Sequence, residues 1–106
     1  MSVRRLPPNE ASELLAQGYV YVDVRSIPEF KEGHPTGAEN IPFTNDFPAV
    51  FATRFPAKDA KVVVGCKMGG RSQRAAELMA SDGYSELVNV TGGFDQWLAM
   101  GLPVTK

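Results

Sequence analysis

Three consecutive valines, Val62-Val63-Val64, lie between Lys61 and Gly65 and stop at Cys66. A short run this apolar reads as a strand buried on both faces, and such strands belong to sheets that are covered on both sides. Behind Cys66 comes the turn Lys67-Met68-Gly69-Gly70-Arg71, and then a helical stretch from Ser72 to Ser81 with Ala75, Ala76, Leu78 and Met79 at packing spacings. The same alternation runs along the rest of the chain. A helix is expected from Asn9, a good N-cap, to Gly18, with Leu14 and Leu15 on one side. The segment Tyr19-Val20-Tyr21-Val22-Asp23-Val24-Arg25 is β-branched and aromatic and closes on charge. Ser26-Ile27-Pro28-Glu29 is a capping box for a short helix that stops at Gly33. Gly37 to Pro42 reads as a brief strand, Asp46 to Phe55 as a helix interrupted or started at Pro48, and Leu87 to Val90 as a strand. After Thr91-Gly92-Gly93 a last helix carries Phe94, Trp97 and Leu98. Alternation of this kind means βαβ units, and so an α/β fold with an open, mostly parallel sheet and helices on both faces. In such sheets ligands collect beyond the carboxyl ends of the strands, which is where Cys66 stands.

Composition narrows the chemistry. A chain of 106 residues forms one domain, here 1–106, which buries roughly two-thirds of the surface its unfolded form exposes. The formal net charge of -1, with both signs interspersed, points to neither a nucleic-acid surface nor an anionic membrane. No apolar run approaches the roughly 18 residues that cross a bilayer. The start, Met1-Ser2-Val3-Arg4-Arg5-Leu6-Pro7-Pro8, has no apolar stretch after its arginines, so the expected address is the cytoplasm. One cysteine forms no intramolecular disulfide, and with His34 as the single histidine no Cys/His metal set can be assembled. Neither metal nor organic cofactor is expected.

A sulfur at the end of a buried strand, followed by a glycine-rich turn and a helix start, faces converging backbone N–H groups and the positive end of the helix dipole. Such surroundings favour thiolate over thiol. Asp23 and Arg25 end another strand and reach the same rim if that strand is a neighbour.

Four motifs in order carry a resemblance. They are Val22-Asp23-Val24-Arg25; Glu29-Phe30 with Glu32-Gly33-His34-Pro35-Thr36-Gly37-Ala38-Glu39-Asn40-Ile41-Pro42; Cys66-Lys67-Met68-Gly69-Gly70-Arg71-Ser72; and Gly92-Gly93-Phe94-Asp95-Gln96-Trp97 with Gly101-Leu102-Pro103-Val104. In these the chain resembles the single-domain rhodaneses, which are sulfurtransferases, over nearly its whole length. Pro35-Thr36 is a small departure, because family members more often carry isoleucine and proline after the histidine. The resemblance implies a five-stranded sheet and a Cys66 persulfide, formed from thiosulfate or a persulfide donor and passed to cyanide or a thiol. It implies N–H groups from Lys67 to Ser72 that stabilise the sulfur anion, with Met68 at the rim and glycines 69 and 70 bringing backbone close to sulfur. Arg71, with its planar fork, and Lys67 would meet the donor's oxygens, and Arg74 would add charge at the mouth. The family also allows a persulfide carrier that serves a protein partner across Met68, Lys67, Arg71 and Arg74. Phosphatases and arsenate reductases of related fold are disfavoured, since their loop is one residue longer than Cys66 to Arg71 and no general acid is obvious beyond Asp23, Asp82 or Asp95.

Plainer readings accompany these. His34 is scaffold, Asp23 and Arg25 support neighbouring loops, and Phe94, Trp97 and Leu98 are core at helical spacing. Lys67 could be merely solvated, and Arg74 could pair with Glu77.

Overall fold

A computed structural model describes residues 3–106, so Met1 and Ser2, part of the segment read for a leader, lie outside the described residues. The chain runs β1 (Arg4–Leu6), α1 (Pro8–Ala16), β2 (Val20–Asp23), α2 (Ile27–Glu32), β3 (His34–Pro35), β4 (Glu39–Asn40), α3 (Phe47–Arg54), β5 (Val62–Gly65), α4 (Gly70–Ser81), β6 (Leu87–Val90), α5 (Gly93–Ala99) and β7 (Val104–Thr105). Five strands form a sheet in the order β1-β6-β5-β2-β4, every neighbouring pair parallel. The short β3 and β7 pair antiparallel in a separate two-stranded ribbon.

The alternation of side chains along a strand divides the core in two. Val62, Val64 and Cys66 point to one face, where Phe47 and Phe51 of α3 and Ala75, Ala76 and Met79 of α4 cover them. Val63 points to the other, with Tyr21, Val88, Ala11 of α1 and Phe94 and Trp97 of α5. This is why three valines in a row suit β5: the strand is wholly buried.

Several expectations are corrected. Helix α1 begins at Pro8, not behind Asn9; Pro7 holds the cap position and Pro8 fills the first turn, where its missing N–H costs nothing. Strand β2 ends at Asp23, because the Asp23 carboxylate accepts the Arg25 backbone N–H at 3.0 Å and turns the chain off the sheet. Helix α4 starts at Gly70, two residues before Ser72, behind Gly69 with φ +106. Leu78 and Leu98 are not core; they are 42 % and 49 % exposed, whereas Ala80 of α4 is buried. The strand β1 and the β3/β7 ribbon were not foreseen. The capping box on Ser26 is present, with the Ser26 side chain accepting from the Glu29 N–H and the Glu29 side chain from the Ser26 N–H. Among the described residues, no helix is long and apolar enough to cross a membrane.

Candidate functional site

Cys66 follows the last residue of the central strand β5 and is 2 % exposed. The Gly69 N–H donates to its Sγ at 3.0 Å and the Ser72 hydroxyl approaches at 3.4 Å. Burial pushes the thiol up, yet the Ser72 hydroxyl and the amides of Ser72, Gly69 and Met68 outweigh it, and the balance lies below the ordinary cysteine value. Gly69 makes this possible, since its positive φ lets the chain turn around the sulfur.

The carbonyls of Cys66 and Lys67 turn onto α5. The Phe94 N–H donates to Cys66 O at 2.8 Å and the Asp95 N–H to Lys67 O at 3.0 Å. The first free amides of one helix therefore hold the back of the sulfur loop, leaving that loop's own amides for the sulfur. Gly93 permits the approach: a Cβ there would stand 2.5 Å from Cys66 O and 2.6 Å from Lys67 O, at φ +56. Gly65 is required as well, because a Cβ there would run into the buried Tyr21 side chain.

Behind the sulfur is a buried polar cluster that sequence reading missed. The Ser72 hydroxyl, which has one proton, also faces Asn89 Oδ1 and Gly69 O, and Asn89 Nδ2 donates to Gly69 O at 3.4 Å. Asn89 is 1 % exposed. Its signal was an asparagine in the otherwise apolar run Leu87 to Val90, where an amide is costly to bury without partners.

The cations are arranged differently from expectation. The Arg71 guanidinium is engaged by Glu29, Nη1 to Oε1 at 2.9 Å and Nη2 to Oε2 at 3.2 Å. Lys67 Nζ lies 3.1 Å from Asp95 Oδ2. Neither is a free charge waiting for an anion. Glu29, read from sequence only as a cap, is thus also the partner of the loop arginine, and that arginine's hydrogen bonds hold the Glu29 carboxyl down at about 2. The same pairing raises Arg71. Arg74 does not pair with Glu77, whose carboxylate takes the Gln73 side-chain amide at 3.0 Å. Asp23 and Arg25 form a buried pair at 2.7 Å; the Arg25 guanidinium also donates to Gly33 O and lies 4.3 Å over the Phe94 ring. They tie β2 to the α2 end and to α5 and make no hydrogen bond to the sulfur. His34 Nδ1 meets Phe30 O at 2.8 Å and its ring stacks on Phe30, a scaffold arrangement.

Beside Arg71 a groove of about 320 Å³ is lined chiefly by Val24, Ile27, Pro28, Pro42 and Phe43. Among the described residues no group of three or more histidine, cysteine or acidic side chains could hold a metal ion.

A five-stranded all-parallel sheet with a cysteine at the end of its central strand, in reach of the amides of the following turn, defines the α/β class of this protein. Residues 7–100 match the family described as the Rhodanese-like domain, and the chain belongs to that family. It is 40 % identical over 96 residues to thiosulfate sulfurtransferase GlpE of Pseudomonas fluorescens, covering 89 % of this chain and 84 % of the relative. It is 35 % identical over 103 residues to the chloroplastic thiosulfate sulfurtransferase 16 of Arabidopsis thaliana, covering 88 % and 85 %. Among solved structures, the polysulfide-sulfur transferase homodimer of Wolinella succinogenes superposes with a TM-score of 0.83 at 28 % identity, covering 97 % of this chain and 78 % of that one.

Proposed function

We propose that this chain is a one-domain sulfurtransferase of the thiosulfate type in which Cys66 is nucleophile and sulfur carrier. The observation that carries the reading is the Cys66 sulfur held among the Gly69 N–H, the Ser72 hydroxyl and neighbouring amides, with its pKa lowered despite burial. The names of the Pseudomonas and Arabidopsis relatives support thiosulfate as a donor. The Cys66 thiolate attacks the outer sulfur of the donor, an Sγ–S bond forms, the sulfur–sulfur bond of thiosulfate breaks, and sulfite departs with the electron pair. Cyanide or a thiolate then attacks the outer sulfur, the Sγ–S bond breaks, and the pair returns to Cys66. Charge resides on the same sulfur group in both steps, so the same donors serve both, with no reorganisation between them. Met68, Gly69, Gly70 and Ser72 shape the cradle, Lys67 and Arg71 flank it, and Asp23 and Arg25 brace it. No cofactor takes part.

A second reading is favoured by the Arg71–Glu29 and Lys67–Asp95 pairs. With both loop cations engaged, a small dianion gains less at this mouth than a persulfide donor or a protein thiol would, which suits a carrier. Thiosulfate:cyanide sulfur transfer by the purified protein, followed as thiocyanate and by intact mass, tests both. Saturable turnover with a one-sulfur mass gain supports the enzyme. A stable adduct that turns over slowly supports the carrier, and neither turnover nor adduct overturns thiosulfate as donor.

A further inference from the structure

The two flanks of the sulfur loop carry unmatched charge of opposite sign. On one flank a groove of about 340 Å³ runs between Arg5 of β1 and Arg74 of α4, along Met68, Gly69 and Gly70 of the loop. Among the described residues no acidic side chain lines this groove, and neither arginine has an ion-pair partner. Glu77, one turn from Arg74, takes the Gln73 amide at 3.0 Å instead. The register of β1 on β6 sets Arg5 beside Asn89, which itself meets Ser72 and Gly69, so the Arg5 side chain leaves the sheet on the face of the cradle. Helix α4 starts at Gly70 with no acidic residue in its first turn, and the positive end of its dipole adds to the same flank.

The other flank faces α2 and α5, where a groove of about 290 Å³ is lined by Arg25, Glu29, Glu32, Lys67 and Asp95. Glu29 is matched by Arg71, Asp95 by Lys67 and Arg25 by Asp23, which leaves Glu32 as the charge without an ion-pair partner among the described residues. An anion nearing the loop is therefore drawn to the Arg5 and Arg74 flank and repelled from the Glu32 flank. Thiosulfate bears two negative charges, and the two loop cations expected to meet them, Arg71 and Lys67, are already engaged.

We propose that Arg5 and Arg74 are the positioning residues for the anionic donor, collecting the dianion in the groove between β1 and α4, beside the Gly69 amide that donates to Cys66 Sγ. The proposal deepens the sulfurtransferase reading and rests on it. The bonds made and broken are those of that reading. The two arginines act through charge: they raise the local concentration of the donor and so set the rate at which Cys66 is loaded.

The second-order rate constant for persulfide loading from thiosulfate, read by intact mass, tests it. At an ionic strength of about 0.01 M, where charges reach about 30 Å, Arg5→Ala/Arg74→Ala should load about tenfold more slowly than the wild type. At about 0.15 M the loss should shrink to about threefold. Methanethiosulfonate presents the same outer sulfur on a single negative charge, with methanesulfinate leaving in place of sulfite. Because the interaction scales with charge, its loss at low salt should be about threefold, the square root of the loss for thiosulfate. Arg5→Lys/Arg74→Lys keeps both charges and should load thiosulfate within about twofold of the wild type. A structural defect would slow both donors equally and would not respond to salt. Unchanged loading in the alanine variant overturns the proposal, and so does equal slowing of the two donors or a loss that salt leaves untouched. A lysine variant as slow as the alanine variant overturns charge as the cause. If the wild type gains no sulfur from thiosulfate, the sulfurtransferase reading itself fails, whereas a wild type that loads beside an unaffected alanine variant sinks this proposal alone.

Discussion

Cys66 is governed by donors three and six positions further along the chain. Replacing it by serine substitutes oxygen for sulfur at a loop, so the fold should survive while sulfur transfer and the one-sulfur mass gain both vanish; turnover in that variant refutes the assignment. The lowered thiol pKa has a definite sign: alkylation by iodoacetamide should stay fast well below the ordinary midpoint of about 8.5. Ser72→Ala removes a donor to the thiolate and should move that midpoint up, because the charged form loses a hydrogen bond. Glu29→Gln leaves the Arg71 fork without its carboxylate, and the KM for thiosulfate should fall about threefold, the scale of a half-exposed ion pair. Initial rates over a thiosulfate series check it. The strand-end position of Cys66 and the glycine turn behind it were readable in order, because strand, turn and helix start are local. The pairing of Glu29 with Arg71 and the contact of Asn89 with Ser72 were not recognised, since these partners lie 42 and 17 positions apart.

At the scale of elements, the decisive contact is the start of α5 against the sulfur loop. Gly93→Ala would place a Cβ 2.5 Å from Cys66 O at a φ unfavourable to alanine. Backbone must shift, at a cost on the order of 1–3 kcal/mol, and the loop loses its rear support. Urea denaturation should register the loss of stability, and sulfur transfer should fall further than stability alone explains. The longer helices and the strands β2, β5 and β6 followed from periodicity and valine content. Strands β1, β3 and β7 did not, because they are too short to show a period and exist through their partners, whereas β4 lies within the brief strand expected from Gly37 to Pro42. Leu78 and Leu98 misled for a related reason: a leucine at helical spacing is core only if another element reaches that face.

Over the whole molecule, two apolar layers on either side of the sheet supply the stability. Phe51 is fully buried against Phe47, Phe55 and Tyr84. Phe51→Ala should cost about 3–5 kcal/mol in urea unfolding. The pH midpoint for Cys66 alkylation should stay in place, because none of its donors changes. Acid stability is a property of the whole chain through linkage. Glu29 has a folded pKa of about 2, below its ordinary 4.5, so its contribution is full above 4.5 and is lost as pH falls toward 2. Glu29→Gln should therefore flatten the acid-unfolding profile across that window, as followed by circular dichroism.

Residue order alone carries the parallel sheet, the strand-end cysteine and the turn behind it, since period, propensity and glycine placement act between near neighbours. Which cations remain free around that cysteine is another matter. Arg71 and Lys67 are matched by carboxylates from α2 and α5, while Arg5 and Arg74 are left without one among the described residues. Ion pairing depends on distance, and the distances between α2, α5 and the sulfur loop come into being when the sheet closes them on one another.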